Sequence, residues 1–271
     1  MLASKQMLDL PAELEREIFE LVMDVCPQDA IRLCLVAKRV KIWQVLNPLY
    51  PPLTEIKDRI ERIMYHTIVL NLPLSRTQLF LRTVDARPAE FFSSHVKKLY
   101  MTGMVSSSAA ERVLKVCTGV TDLACWTPLG SIQSLVEMIP RLTRISVNAE
   151  VLSRVTDEVD LSGVTSLTHL DIVAPRSALW AVPSLPSLTH LSIGNLNYMD
   201  HNPWIPVVQS LLENCKRLQA LILITNDEGI HEELEDERVL IIPKYHHPKD
   251  LCTYWKDVWT GKGDFWDVAS K

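Results

Sequence analysis

Two stretches govern the reading of this chain: Ser166-Leu167-Thr168-His169-Leu170-Asp171-Ile172 and Ser187-Leu188-Thr189-His190-Leu191-Ser192-Ile193. They agree at six of seven positions and start 21 residues apart, which marks a duplicated unit. Each reads apolar-x-x-apolar-x-apolar. The same spacing recurs at Val96/Leu99/Met101, Val120/Leu123/Cys125, Leu142/Ile145/Val147 and Leu218/Leu221/Leu223. The six instances start at 96, 120, 142, 167, 188 and 218. Four of the five steps fall within the ~20–29 residues of stacked strand repeats. One such unit cannot close a core by itself, whereas several stacked units can.

Working outward from the repeats, three stretches have helical spacing and fit between the strands as returns: Ala109–Val116, Ile132–Ile139 and Trp204–Leu212. The last of them explains why its step is 30 residues long. Thr67–Leu72 reads as an irregular first strand and Val239–Ile242 as a late one. The expected fold class is therefore α/β, with parallel strands and helical returns over residues 96–242, and 51–95 as a connecting segment holding the irregular first repeat.

Residues 1–50 read differently. Leu10, Leu14, Ile18, Leu21, Val22 and Val25 recur at three- and four-residue spacing among Glu13, Glu15, Arg16, Glu17 and Glu20, an amphipathic helix. Pro11 falls in its first turn, where a missing N–H costs nothing. Pro27 ends it, and Asp29 can cap a second helix, Ala30–Ala37, which is apolar on nearly every side. Lys38, Arg39 and Lys41 suit the C-terminal end of that helix dipole. About fifty residues is near the lower limit for burying a core alone. The surplus apolar surface must face the rest of the chain or a partner.

Leu10-Pro11-x-x-Leu14-x-x-x-Ile18-Phe19, with Leu33-x-Leu35-Val36-Ala37-Lys38 and Trp43, resembles an F-box of the kind abundant in mushroom-forming fungi. The pattern departs from the usual one at Val36-Ala37, where a Val-Cys pair is common, and at Asp29-Ala30. The resemblance implies a helical adaptor unit that binds the Skp-type subunit of a cullin–RING ubiquitin ligase. It implies that Leu10, Pro11, Leu14, Ile18, Phe19, Leu33, Leu35, Val36 and Trp43 form the adaptor-binding set. Residues 96–242 resemble a degenerate leucine-rich repeat, which often follows an F-box. The asparagine expected eight residues after the first apolar position is present only at Asn226; Met104, Pro128, Glu150, Pro175 and Leu196 stand there otherwise. The turns must then be satisfied by other groups, and an irregular arc is expected.

Side chains alternate along a strand, so the residues between the apolar positions form a second face. On it fall Lys98, Tyr100, Asp122, Trp126, Arg144, Asn148, His169, Asp171, His190 and Ser192. Aromatic and Arg residues are the usual anchors of protein partners. Tyr100, Trp126, Arg144, Asn148, His169, Asp171 and His190 are accordingly the candidate target-binding set; the plainer alternative is an ordinary solvated sheet face. His169 and His190 stand ~4.8 Å apart if their strands are adjacent. With Asp171 nearby they have metal-ligand chemistry, but duplication accounts for them without a metal, and no metal or cofactor is expected.

The C-terminal stretch, 243–271, holds Tyr245, His246, His247, Tyr254, Trp255, Trp259, Phe265 and Trp266. Terminal repeats need covering, so the expectation is a cap over the open end of the repeats. A small-ligand pocket lined by Trp255, Trp259 and Trp266 is the alternative. Gly263-Asp264-Phe265-Trp266 also resembles the tail of the fungal F-box-like family.

Composition narrows the function. Acids number 33 and bases 28, for a net charge of -5, whereas nucleic-acid binders usually carry a basic excess. Residues 225–271 hold 11 acids and 6 bases and so carry all of it. Seven of those acids lie between Asp227 and Glu237, on an expected exposed loop. No apolar run approaches the ~20 residues that span a bilayer, and the N-terminal MLASKQMLDLPAELERE becomes charged before a signal-type core can form. Cys26, Cys34, Cys117, Cys125, Cys215 and Cys252 include no CxxC pair, which fits reduced thiols. A cytoplasmic or nuclear protein is expected, with neither nucleic acid nor membrane as partner.

Gly261-Lys262-Gly263 lacks the strand, helix and third glycine of a phosphate loop, and no nucleophile elbow or H-E-x-x-H helix is present. The expected function is that of a non-catalytic substrate receptor, with residues 1–50 docking the Skp-type adaptor and the arc holding an unknown protein target. The alternative is an interaction scaffold in which the F-box-like helices pack on the repeats and serve no ligase.

Overall fold

Every instance of the apolar signature enters a strand. In the computed structural model, which describes residues 53–71, 73–148, 162–173, 182, 185–194, 204–225, 234–242 and 266, these strands are β2 (Lys98–Met101), β3 (Asp122–Cys125), β4 (Arg144–Asn148), β5 (His169–Val173), β6 (His190–Gly194) and β7 (Ala220–Ile224). β1 (Thr67–Leu70) precedes them and β8 (Val239–Ile242) follows, close to the expected bounds. The eight form one open sheet in sequence order, β1 to β8, with every neighbouring pair parallel. Parallel neighbours require a crossover connection rather than a tight turn, and the returns of some twenty residues supply it. The class is α/β, as the repeat spacing predicts.

Burial follows the signature. Val96, Leu99 and Met101 are 0 % exposed, and the corresponding residues of the next five instances, Cys125 included, are all buried. The thiols of Cys117, Cys125 and Cys215 are free and buried. Desolvation pushes the first two up to about 12 and raises the third. Cys26, Cys34 and Cys252 lie outside the described residues.

Two return helices are capped by serine. Ser106 Oγ accepts from the Ala109 amide at the start of the helix Ser107–Val116, which buries Ala110, Val113 and Leu114. Ser131 Oγ accepts from the Ser134 amide at the start of Ile132–Met138, which buries Ile132 and Leu135. The third, Trp204–Asn214, buries Ile205, Val208 and Leu211 at helical spacing.

The chain divides into two compact units, 1–66 and 67–271. The boundary falls inside the segment 51–95 that the sequence reading treats as a connector. That segment is helical for most of its length: α1 (Leu53–His66) belongs to the first unit, and α2 (Ser75–Ala86) and α3 (Ala89–His95) to the second. In chain order the return helices are then α4 (Ser107–Val116), α5 (Ile132–Met138) and α6 (Trp204–Asn214). Phe80 of α2 and Phe92 of α3 meet edge to face at 5.8 Å. The F-box-like residues Leu10 to Trp43 lie outside the described residues, as does the acidic stretch up to 233. Among the described residues no helix is long and apolar enough to cross a membrane.

The missing asparagine ladder has a partial substitute at the opposite end of the strands. The residue just before β3, β4, β5 and β6 is Thr121, Thr143, Thr168 and Thr189. Each hydroxyl donates to the carbonyl of the equivalent residue one repeat earlier, at 3.1–3.2 Å: Lys97, Thr121, Thr143 and Thr168 in turn. Each of those carbonyls also accepts two backbone amides from the following repeat. Past β3, the buried Thr127 hydroxyl bridges the carbonyls of Thr102 and Val105, both at 3.0 Å. The threonine hydroxyls thus add a side-chain donor to carbonyls that already tie one repeat to the next.

Candidate functional site: the second face of the sheet

The in-register strands arrange the second face as rows running across the sheet. The first row is Lys98, Asp122, Arg144, His169, His190 and Ala220. The second is Val69, Tyr100, Ala124, Ser146, Asp171, Ser192, Ile222 and Leu240. One step beyond the second row lie Trp126, just past the end of β3, and Asn148 of β4. The structure therefore brings all seven candidate target-binding residues to one face.

Their accessibility differs from the expectation. From Tyr100 to Ile222 the second row is buried, with Tyr100 0 % exposed and Asp171 4 %, while its ends, Val69 and Leu240, are half-buried. Neither Tyr100 nor Asp171 meets solvent or leaves room for a partner in this structure. Trp126, Asn148, His169 and His190 are half-buried. Arg144 is the most open, with 45 % of its side chain exposed, and its Nε stands 3.8 Å from Asp122 Oδ1. The cause is a second apolar layer on this face. Tyr100, Ala124, Ile222, Ile224 and Trp266 form a buried cluster, with Val69, Trp126, Leu240 and Ile242 packed against it. The sequence carries a signal for this layer: Ala220–Ile224 reads ALILI, apolar at every position, and such a strand is buried on both faces.

A polar chain runs within the layer. The Trp126 indole Nε1–H donates to Ser146 Oγ at 3.0 Å, and the Ser146 hydroxyl donates to Asp171 Oδ2 at 2.6 Å. Tyr100 meets the Trp126 ring edge to face at 5.3 Å. A buried carboxylate is tolerated only where donors reach it, and Ser146 is one such donor.

His169 and His190 stack face to face, with centroids 4.3 Å apart and planes 4° from parallel. In each, Nδ1 lies 2.8 Å from the hydroxyl of the threonine before it, Thr168 or Thr189. Those hydroxyls have one proton each. Given to the neighbouring carbonyl, it leaves the ring to donate from Nδ1, and Nε2 then carries a lone pair. Burial lowers the pKa of His169 to about 3, with His190 and Arg144 adding to the effect. Burial and then Arg144 lower that of His190. Both rings are neutral near pH 7. Among the described residues no group of three or more His, Cys, Asp or Glu side chains could hold a metal ion.

Of the residues 243–271 expected to cap the last repeat, Trp266 alone is described, and it stands on this face against β5 and β6, not beyond β8. Trp255 and Trp259 lie outside the described residues. A separate cleft of about 450 Å³ opens beside α6, lined among others by Gln209, Glu213, Lys216, Asp236 and Arg238. Two of its charges are already paired, since Arg238 donates to both Asp236 oxygens at 2.9 and 2.7 Å.

Fold and face together define an α/β chain of strand-and-return units whose sheet is lined by apolar side chains on both sides. Compared with protein-family models, curated proteins and solved structures, the chain matches none.

Proposed function

We propose that this protein is a non-catalytic substrate receptor of a Skp–cullin–F-box ubiquitin ligase, its strand-and-return units being degenerate leucine-rich repeats. The observation that supports a receptor role most directly is the in-register stacking of the strands. It lines up Asp122, Arg144, His169 and His190 as a continuous, partly exposed row, with the half-buried Trp126 on the same face beyond the second row. Arg and Trp on a shaped surface are the residue types that anchor protein partners. The N-terminal F-box resemblance supplies the other half of the reading. The chain itself performs no chemistry; holding a target near a conjugating enzyme raises effective concentration.

Co-purification tests it. Wild-type protein should retain a Skp-type adaptor at micromolar concentration, and Leu14→Asp or Ile18→Asp should abolish retention while the thermal transition of the repeat unit stays unchanged. Wild-type protein that ignores the adaptor would sink the proposal. Strong hydrogen-exchange protection across residues 10–36 without any partner would favour the scaffold alternative instead.

A further inference from the structure

The indole of Trp266 lies 5.2 Å from the His169 ring and 5.7 Å from the His190 ring, centroid to centroid, at 82° and 85° to their planes. The two imidazoles are themselves parallel and 4.3 Å apart. Near-equal distances to both place the indole beside the stack, against the ring edges, and not on top of it. It is 5 % exposed. A duplicated histidine pair thus makes a seat for an aromatic ring, and a residue 24 positions past the end of β8 fills it.

The fit has a flaw. Ser192 follows His190 by two residues and pairs in register with Asp171, in the row next to the histidines. It is 0 % exposed, and among the described residues its hydroxyl has no hydrogen-bond partner. A buried hydroxyl left unpaired is destabilising. A layer built only for apolar packing would have an apolar residue there. The seat therefore suits a ligand that brings a polar atom together with its ring, and Trp266 supplies the ring without satisfying Ser192. Charge adds a further constraint. Asp264 and Asp267 flank Phe265-Trp266 in the sequence, while the exposed Arg144 occupies the row position next to His169.

We propose that the seat formed by His169, His190 and Ser192 binds a short partner segment bearing a tryptophan beside carboxylates, and that Trp266 occupies it in cis as a competitor. This rests on the receptor reading in taking the partner segment to belong to the target. A tethered competitor acts at an effective concentration on the order of millimolar. A segment in trans must exceed that, or gain on it through the hydrogen bond that Ser192 is missing.

The test uses the full chain and a labelled synthetic peptide of residues 260–271, followed by fluorescence anisotropy. The Trp266→Ala chain should bind the peptide saturably and at least tenfold more tightly than the intact chain, and a peptide with alanine in place of its tryptophan should not bind. Equal affinity of the two chains, or equal binding of the two peptides, overturns the proposal. Should Trp266→Ala abolish the cooperative melt, Trp266→Leu, which keeps apolar bulk but no ring, replaces it under the same criterion. Target capture from cells by the intact chain is scored separately. No target with peptide discrimination intact removes the receptor reading and leaves the seat; targets captured with no peptide discrimination remove the seat alone.

Discussion

Ser146 holds a half-buried indole and a buried carboxylate at once: it accepts from Trp126 and donates to Asp171. Ser146→Ala strands an indole N–H and takes a donor from a carboxylate in one step. The expected loss is about 2–3 kcal/mol, since bonds to charged groups are worth more than neutral ones, and urea denaturation reads it directly. A loss below about 0.5 kcal/mol would mean that the two groups find other partners. His169 gives the pH dependence. Its folded pKa lies near 3, against an ordinary value of 6.5. Below pH 6.5 the unfolded chain takes up a proton that the folded chain refuses until about pH 3, so stability falls as the pH drops through that window. The denaturation midpoint should therefore fall less steeply between pH 6.5 and pH 4 in His169→Asn than in wild type. Identical slopes would place the titrating group elsewhere. The histidine pair is legible in the duplicated seven-residue stretches, which place His169 and His190 at equivalent positions. Their burial is not, because it depends on Trp266, 76 residues beyond His190 in the sequence.

At the scale of elements, the strands were read within a residue or two because their buried positions repeat as a pattern that local sequence carries. The helices α2 and α3 have no counterpart in the repeat spacing, although Thr77, Phe80, Leu81 and Val84 fall on one helical face. Their stretch lies outside the repeat period, and a search for that period passes over it. The helix α3 also comes close to the turn that follows α4. A Cβ on Gly119 would stand 1.8 Å from the Ser93 carbonyl oxygen of α3. Backbone cannot rotate aside as a side chain does, so Gly119→Ala should cost about 1–3 kcal/mol as an overpacking substitution. A thermal melt unchanged within error would show that α3 can shift. The threonine ladder was equally invisible in advance. It follows from which carbonyl lies one repeat away, a matter of register and not of composition.

Across the whole molecule, order in the sheet equals order in the chain, so each strand is stabilised mainly by its two neighbours. β8 is the last described strand, and all four of its residues are half-buried, whereas all five of β7 are buried. Amide exchange should accordingly run at least about tenfold faster in β8 than in β7, a difference of ~1.4 kcal/mol in local opening. Equal protection would mean that β8 is held as firmly as the interior strands.

The repeat period, the buried signature, the α/β class and the residues of the second face all belonged to the sequence alone. They depend on spacing, and a strand imposes its two-residue alternation wherever it forms. Which of those residues meet water was settled only by the tertiary structure. The apolar layer that buries Tyr100 and Asp171 gathers β3, β7, β8 and Trp266 from far apart in the chain, and no local pattern records a contact between segments that become neighbours only when the sheet is assembled.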